Sequence, residues 1–350
     1  MSKETRIIIF ASIFCAAIVI AFSIVNLSTE LTLIISACAL VSIITLISPN
    51  AGLVLFIFAM LLSPEVRIMD IPDRQVNVRV DDIILVFIFI SWFGRMAINK
   101  ELGIMRNTVL LLPISLYITA CVFSTALGIM KNGLVEMKAF FFLGKYIQYL
   151  MLYFMITNIV NTKRQIKLFL WAGLITCLIV AVYSYTQIQP GVRIGAPFQR
   201  AGSEPATLGG YLLLVIAVAM GTYLYSDEKK SRWLLLLFIM LLIPPFLFTY
   251  SRASYMSFVP MFIALFALTP REKMSLMVGL LIVVVAGGIF LLPATVKGRI
   301  SETFSGEKRK VGKMEMRIEE SAWYRVEGYQ DVLFDKFPRQ PFLGNGVGGK

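Results

Sequence analysis

The sequence predicts an all-α, polytopic membrane protein with about eleven transmembrane helices and a large loop outside the membrane. Of its 350 residues, 58% are apolar, whereas soluble domains contain roughly 45–50%. Charged residues make up only 15% of the chain, and the mean hydropathy is +0.79. A soluble core of this length cannot bury so much apolar surface. The composition therefore excludes a water-soluble enzyme, a secreted disulfide scaffold and a disordered chain.

Eleven apolar segments are predicted to span a bilayer, which takes about 20 residues. The third, 51–63, is the shortest, and Pro49-Asn50 is predicted to join it to the second in a tight helical hairpin. Pro244-Pro245 is predicted to break the ninth in its middle. The segments are 7–25, 31–48, 51–63, 83–99, 108–126, 139–160, 168–187, 207–226, 233–249, 254–269 and 274–293.

Lysine and arginine residues predict a cytoplasmic N-terminus, because cytoplasmic loops are enriched in positive charge. With this orientation the cytoplasmic segments hold 13 basic and five acidic residues, and the outer loops hold eight of each. The chain then divides into a transmembrane domain, 1–293, and an outer loop, 294–350. Within that loop, 315–337 is predicted to form an amphipathic helix on the outer membrane surface. Its apolar stripe is Met316, Ala322, Val326, Tyr329 and Leu333.

Cysteine and histidine usage excludes several kinds of site. The four cysteines lie inside apolar segments, so neither a disulfide framework nor a thiolate metal site is expected. The sequence contains no histidine, which excludes histidine metal ligands and histidine general bases within it. We therefore expect no metal or other cofactor. The positive-inside bias accounts for much of the net charge of +12, so we expect no nucleic-acid partner.

The first candidate site is the loop after segment 168–187, which begins near Gln187. It contains Arg193, Arg200 and Glu204-Pro205, together with Gly195 and Gly202. Arginine can hold pyrophosphate oxygens in a bidentate fork, and glycine lets the backbone approach a bulky ligand. The alternative is an ordinary solvated loop in which Glu204 stands at the start of a helix.

Three further basic residues are candidate ligand contacts. Arg252 lies in Thr249-Tyr250-Ser251-Arg252, where two predicted spans are joined by almost no loop. A snorkelling arginine is the alternative, although the positive-inside rule disfavours an outer arginine. Lys145 lies about two turns inside its span, where snorkelling is the favoured interpretation and ligand contact the alternative. Arg325 follows a Trp-Tyr pair that also fits an interfacial aromatic belt.

The predicted outer arginines share one face of the membrane. Lipid-linked diphosphate sugars are anionic and amphipathic, and they are presented on that face. The pattern therefore favours a lipid-linked diphosphate as the ligand class, without identifying one molecule.

Several short motifs, in this order and on this side of the membrane, carry a resemblance to a known family. They are Tyr146-Ile147-Gln148-Tyr149, Asn158 with Lys163-Arg164, Tyr183 to Gln187, Arg200-Ala201-Gly202-Ser203-Glu204-Pro205, Leu208-Gly209-Gly210-Tyr211-Leu212, Ser251-Arg252-Ala253-Ser254, Trp323-Tyr324-Arg325 and Pro341-Phe342-Leu343-Gly344-Asn345-Gly346-Val347-Gly348. Over roughly residues 80–350 the sequence resembles the O-antigen ligase and polymerase family of bacterial membrane glycosyltransferases.

The resemblance implies a membrane glycosyltransferase-like fold in the bacterial inner membrane. It implies transfer of a glycan from an undecaprenyl-diphosphate carrier to a lipid or growing-glycan acceptor at the outer face. Arg200 and Arg252 would hold the diphosphate as catalytic residues, with Glu204 as the candidate base. Arg193, Arg325, Lys145 and Gln187 would bind substrate. Glu204-Pro205 stands where many ligases have Pro-Asn, which favours the polymerase branch.

The family also uses a histidine beyond the glycine motif, which this sequence lacks. We expect either that the sequence is a fragment of a longer chain or that the protein works without that base. Two other classes of function stay open. A transporter or flippase of lipid-linked oligosaccharides would also need arginines, and the Pro244-Pro245 pair favours it. A non-catalytic subunit of a polysaccharide assembly machine is the third.

Overall fold

A computed structural model describes residues 3–26, 28–63, 65–71, 74–98, 108–132, 138–189, 192–197, 205–291, 308–311, 314–317 and 320–339. The chain divides into two compact units. Unit 1 comprises Met1–Leu55, Asp82–Ile166 and Glu320–Lys350, and unit 2 comprises Phe56–Asp81 and Lys167–Glu319. The division into 1–293 and 294–350 stays a prediction.

Every predicted apolar segment coincides with a helix. Four of the described helices, α5, α7, α8 and α9, are long and apolar enough to cross a membrane. The protein is therefore an α-helical membrane protein, and the count of eleven spans stays a prediction. The helices are α1 (Lys3–Asn26), α2 (Thr29–Ile47), α3 (Pro49–Leu62), α4 (Val80–Ile98), α5 (Leu111–Asn132), α6 (Lys138–Ile159), α7 (Lys163–Thr186), α8 (Pro205–Tyr225), α9 (Lys229–Phe248), α10 (Arg252–Leu268) and α11 (Met274–Leu291).

Both proline predictions need correction. Pro49 and Asn50 are not a connection but the first residues of α3, and only Ser48 separates α2 from α3. Proline is well suited to the first turn of a helix, where its missing N–H has no intrahelical acceptor. Pro244 and Pro245 do not break α9, which runs through them to Phe248. Each proline lacks an N–H and so removes one intrahelical hydrogen bond, but the backbone stays helical through both.

Two short β-hairpins interrupt the helical pattern, which differs from the all-α prediction. Strand β1 (Glu65–Ile71) pairs antiparallel with β2 (Arg74–Arg79), with an irregularity between Arg67 and Met69. Strand β3 (Lys308–Val311) pairs antiparallel with β4 (Met314–Arg317). Apolar and polar residues alternate along β2 and β4, which is the period of a strand, whereas β3 begins with three consecutive basic residues. Neither hairpin was predicted from the sequence.

The predicted amphipathic helix in the C-terminal segment forms, but it begins later. Helix α12 (Glu320–Gln330) continues through a π-helical segment (Asp331–Lys336) into a last turn (Phe337–Arg339). Met316 of the predicted stripe lies on β4 instead. Tyr329 and Leu333 are exposed, which leaves apolar surface on this helix. Its attachment to a membrane surface stays a prediction.

In unit 1, α1 packs against α2, and α5 packs against α6. The Thr32 hydroxyl of α2 donates to the Ser23 carbonyl oxygen of α1 at 3.0 Å. Helices α2 and α3 approach closely at Gly52, where a Cβ would lie 2.9 Å from Cγ2 of the buried Thr45. Only glycine fits this contact without a shift of its neighbour.

Helix α8 is the central helix of unit 2. It packs against α9 and α10, and α11 packs against α9. Its buried residues lie on more than one face of the helix, as expected for a helix that packs mainly against other helices and not against lipid. They are Leu208, Gly209, Leu212, Leu213, Val215, Ile216, Ala219, Met220 and Leu224.

Candidate functional site

The connection between α9 and α10 is a three-residue turn, Thr249-Tyr250-Ser251. Tyr250 has a φ of 48°, which is uncommon for a residue other than glycine, and its side chain is buried. Its amide donates to the Leu247 carbonyl oxygen at 3.2 Å, and the Ser251 amide donates to Thr249 Oγ1 at 3.3 Å. The turn is therefore held in a strained but well-bonded conformation, which is a common property of functional sites.

Ser251 is the N-cap of α10. Its hydroxyl oxygen accepts hydrogen bonds from the Ser254 amide at 3.3 Å and from the Ser254 hydroxyl at 2.9 Å. Arg252 is consequently the first helical residue, and it is half-buried. A positive side chain adds to the positive end of the helix dipole, an arrangement that helix energetics disfavour. A bound anion at this position would offset the unfavourable interaction between Arg252 and the helix dipole.

The loop after α7 is attached to the same end of α9. The amide of the buried Ile194 donates to the carbonyl oxygen of Phe248 at 3.3 Å. This bond satisfies a carbonyl group at the helix C-terminus and fixes the loop there. The neighbouring Arg193 is exposed. The tertiary structure therefore brings Arg193 and Arg252 to one end of unit 2.

The N-terminus of α8 also lies at this end. Gly209, in the second turn of α8, packs against α10: a Cβ there would lie 2.9 Å from Ser254 Cβ and 3.2 Å from Thr249 Oγ1. The N-terminal parts of α8 and α10 are therefore adjacent. Each has the positive end of its helix dipole here, which favours an anionic group such as phosphate. We call Arg193, Gly209, Ser251, Arg252 and Ser254 the outer arginine site.

Two of the three predicted catalytic residues, Arg200 and Glu204, lie outside the described residues, as does the Pro341 to Gly348 motif. Helix α8 begins at Pro205, so a helix starts at the place where the sequence predicts one. Gln187 is half-buried in the turn that ends α7, and its backbone N–H group donates to the Ser184 carbonyl oxygen at 3.1 Å. It belongs to unit 2, like Arg193 and Arg252.

The other two predicted substrate contacts belong to unit 1. Lys145 Nζ lies 3.2 Å from Asp82 Oδ2, so its charge has an intramolecular partner, and the snorkelling interpretation stays a prediction. The Gln148 side chain donates to the Asp82 backbone oxygen at 3.2 Å, which ties α6 to the start of α4. Arg325 is exposed on α12. Substrate contacts by Lys145 and Arg325 stay predictions.

The sequence-based search missed a buried charged cluster in unit 2. Asp81 Oδ1 accepts a hydrogen bond from the Ser63 hydroxyl at 2.6 Å and from Arg79 Nε at 3.0 Å. Arg79 also donates from Nη2 to the Met60 carbonyl oxygen at 2.6 Å. One feature of the sequence points to this cluster: two carboxylates, Asp81 and Asp82, stand directly before an apolar segment, where acidic residues favour the start of a helix.

No protein-family model, no curated protein and no solved structure matches this chain.

Proposed function

We propose that the protein transfers a glycan from an undecaprenyl-diphosphate carrier to a lipid or growing-glycan acceptor, as the family resemblance implies. The observation that carries the proposal is that Arg193, Arg252 and the N-terminal parts of α8 and α10 lie at the same end of unit 2. Two cationic side chains and two helix N-termini suit a ligand with several negative charges, such as a diphosphate.

The proposed reaction is a direct displacement at the anomeric carbon of the donor sugar. The acceptor hydroxyl oxygen forms the new bond to that carbon, and the bond from the carbon to the diphosphate oxygen breaks. Its electron pair leaves with undecaprenyl diphosphate, and the anomeric configuration inverts. Arg193, Arg200 and Arg252 neutralise the charge that grows on the leaving group. Glu204 is the proposed acceptor of the hydroxyl proton.

The proposal places the protein in the bacterial inner membrane with eleven spans and a cytoplasmic N-terminus. The outer arginine site then lies at the outer face, where lipid-linked sugars are presented. The number of basic residues in the alternate loops supports this orientation. The continuous helix α9 removes the feature that favoured a transporter, because the Pro244-Pro245 pair does not break it.

The test is transfer activity in cells of the source organism that carry Arg193→Ala or Arg252→Ala in place of the native gene. Surface polysaccharide, resolved by size, reports transfer. Removal of one charged contact to the leaving group is expected to reduce transfer by about 100-fold. Lys230→Ala is the matched control, because Lys230 is exposed at the start of α9, on the predicted cytoplasmic side.

A second measurement separates catalysis from expression. Purified variants that reach the membrane in normal amount are titrated with undecaprenyl diphosphate. The two arginine variants are expected to bind it at least tenfold more weakly than wild type and Lys230→Ala. Near-normal transfer by both arginine variants contradicts the proposed mechanism.

A further inference from the structure

A small polar cavity of about 210 Å³ lies in unit 1, where the start of α3, the C-terminal part of α4 and the α6–α7 connection meet. This volume is below the ~300–1,000 Å³ of pockets for drug-sized ligands, so the cavity suits a small group. Its lining includes Asn50, Trp92, Arg95, Asn158, Asn161 and Gln165. None of the described residues that line it carries a carboxylate.

Arg95 supplies the positive charge of the cavity. Its Nη1 donates to the carbonyl oxygens of Leu46 at 2.9 Å and Ile47 at 2.7 Å, at the end of α2. These bonds hold the guanidinium group by one nitrogen. Nε and Nη2 donate to no acceptor among the described residues, so the fork keeps donors for a ligand.

Gln165 orients the amide groups on the other side of the cavity. Its Oε1 accepts hydrogen bonds from the backbone N–H groups of Asn161 and Thr162, both at 2.9 Å. The bond from Thr162 is that of a capping box at the start of α7. Its Nε2 donates to Asn50 Oδ1 at 2.9 Å. This bond fixes which way the Asn50 amide points, and its Nδ2 group has no acceptor among the described residues.

Arg95 is the charged side chain in the lining of the cavity. Asn50 and Gln165 lie in the first turns of α3 and α7, whereas α2, α4 and α6 end beside the cavity, so helix ends of both signs adjoin it and its positive charge comes from Arg95. Lys163 and Arg164 are exposed at the start of α7. This face is the one that the distribution of lysine and arginine residues predicts to be cytoplasmic. Basic pockets between helices on that side suit the phosphate of an anionic lipid headgroup.

We propose that this cavity binds a single phosphate group, held by Arg95 and the Asn50 amide. The exposed Lys163 and Arg164, which lie in sequence between the lining residues Asn161 and Gln165, add positive charge nearby. The phosphate can come from a lipid headgroup of the cytoplasmic leaflet or from a soluble phosphate. The site is separate from the proposed transfer reaction. It is built from residues of unit 1, whereas Arg193 and Arg252 belong to unit 2.

The test is a binding titration of the full chain in neutral detergent, read by native mass spectrometry. The probes are dioctanoyl phosphatidic acid, dioctanoyl phosphatidylcholine and inorganic phosphate. Saturable binding of phosphatidic acid alone supports a lipid headgroup. Additional binding of inorganic phosphate, in competition with the lipid, supports a soluble source. Equal affinity for phosphatidylcholine, or no saturable binding of either phosphate probe, overturns the proposal.

The diagnostic variant is Asn50→Asp, which keeps the acceptor for Gln165 and the side-chain shape but replaces the amide donor with a negative charge. It is expected to weaken phosphatidic acid binding at least tenfold. Asn26→Asp, at the exposed end of α1, is the matched control because it makes the same change in net charge. Equal affinity of Asn50→Asp and wild type overturns the proposal.

A surface variant covers the case in which Asn50→Asp does not fold. Lys163→Gln with Arg164→Gln changes only exposed side chains, and each lost charge is expected to weaken binding about fivefold. An unchanged affinity in this double variant also overturns the proposal. Transfer activity of the Asn50 variant is expected to stay normal, so failure here is distinguishable from failure of the proposed function.

Discussion

The hydroxyl group of Tyr185 in α7 donates a hydrogen bond to the carbonyl oxygen of Leu241 in α9 at 2.8 Å. Leu241 precedes Pro245 by four residues, and proline has no N–H to complete the helical hydrogen bond to that oxygen. The tyrosine therefore replaces the missing donor from a neighbouring helix. This relationship explains how α9 accommodates Pro245 in an apolar environment, where an unsatisfied carbonyl group is costly.

Tyr185→Phe is expected to lower the free energy of unfolding by about 1 kcal/mol, the typical size of such a bond between membrane helices. Pro245→Ala restores an N–H that can donate to Leu241. In the Pro245→Ala background, Tyr185→Phe is expected to have little effect. A double-mutant cycle by denaturant titration in detergent measures the difference. The same loss in both backgrounds would show that the hydroxyl group does not replace the proline's missing donor.

Gly209→Ala tests the close approach of α8 and α10 at the outer arginine site. The added methyl group would lie 2.9 Å from Ser254 Cβ, whereas a Cβ at the neighbouring Gly210 meets nothing within 4 Å. Overpacking of this kind costs about 1–3 kcal/mol. We expect Gly209→Ala to lower both thermal stability and transfer activity, and Gly210→Ala to leave both nearly unchanged.

Equal behaviour of these two alanine variants would contradict the assigned contact. The pair is closely matched because the residues are adjacent on one helix and receive the same added methyl group. A helix-propensity gain is common to both, since alanine is the better helix former. Any difference between them therefore reports packing.

Asp81→Asn tests the buried charged cluster. The Asp81 side chain is 10% exposed and is hydrogen-bonded to Arg79, whose side chain is 17% exposed. Loss of one charge from such a buried pair is expected to cost about 2 kcal/mol, less than the ~3–5 kcal/mol for a fully buried pair. Thermal unfolding in detergent, followed by helical circular dichroism, measures the effect.

Asp82→Asn is the comparison for that variant, because it changes the adjacent carboxylate in the same way. Its partner Lys145 has a side chain that is 40% exposed, so solvent weakens the ion pair. We expect a loss below about 1 kcal/mol. A larger effect from Asp82→Asn than from Asp81→Asn would reverse the assigned order of burial.

Much of the local structure could be predicted from the order of apolar and charged residues. Each apolar segment is a helix because the backbone of a membrane segment must satisfy its own hydrogen bonds. The sequence placed the tenth span at 254–269, and α10 begins two residues earlier, at Arg252. The two β-hairpins were missed because strand alternation over a few residues is a weak signal beside long apolar segments.

The side-chain partners could not be predicted, because they depend on how distant segments pack. Arg193 and Arg252 are far apart in sequence, and they lie at one end of unit 2 because Ile194 bonds to Phe248, the residue that ends α9. The ion pair of Lys145 could not be predicted because its partner, Asp82, lies on another helix. Pro244-Pro245 predicted a broken helix because the donor that compensates for Pro245 is Tyr185 of α7.

The sequence alone determined the helical membrane character of this protein and the positions of its helices, since these depend on local hydropathy and on the hydrogen-bonding needs of each segment. Only the tertiary structure decided which charges are paired, which prolines are tolerated and which arginines share a site. Those outcomes depend on contacts between residues that are distant along the chain, and hydropathy carries no information about them.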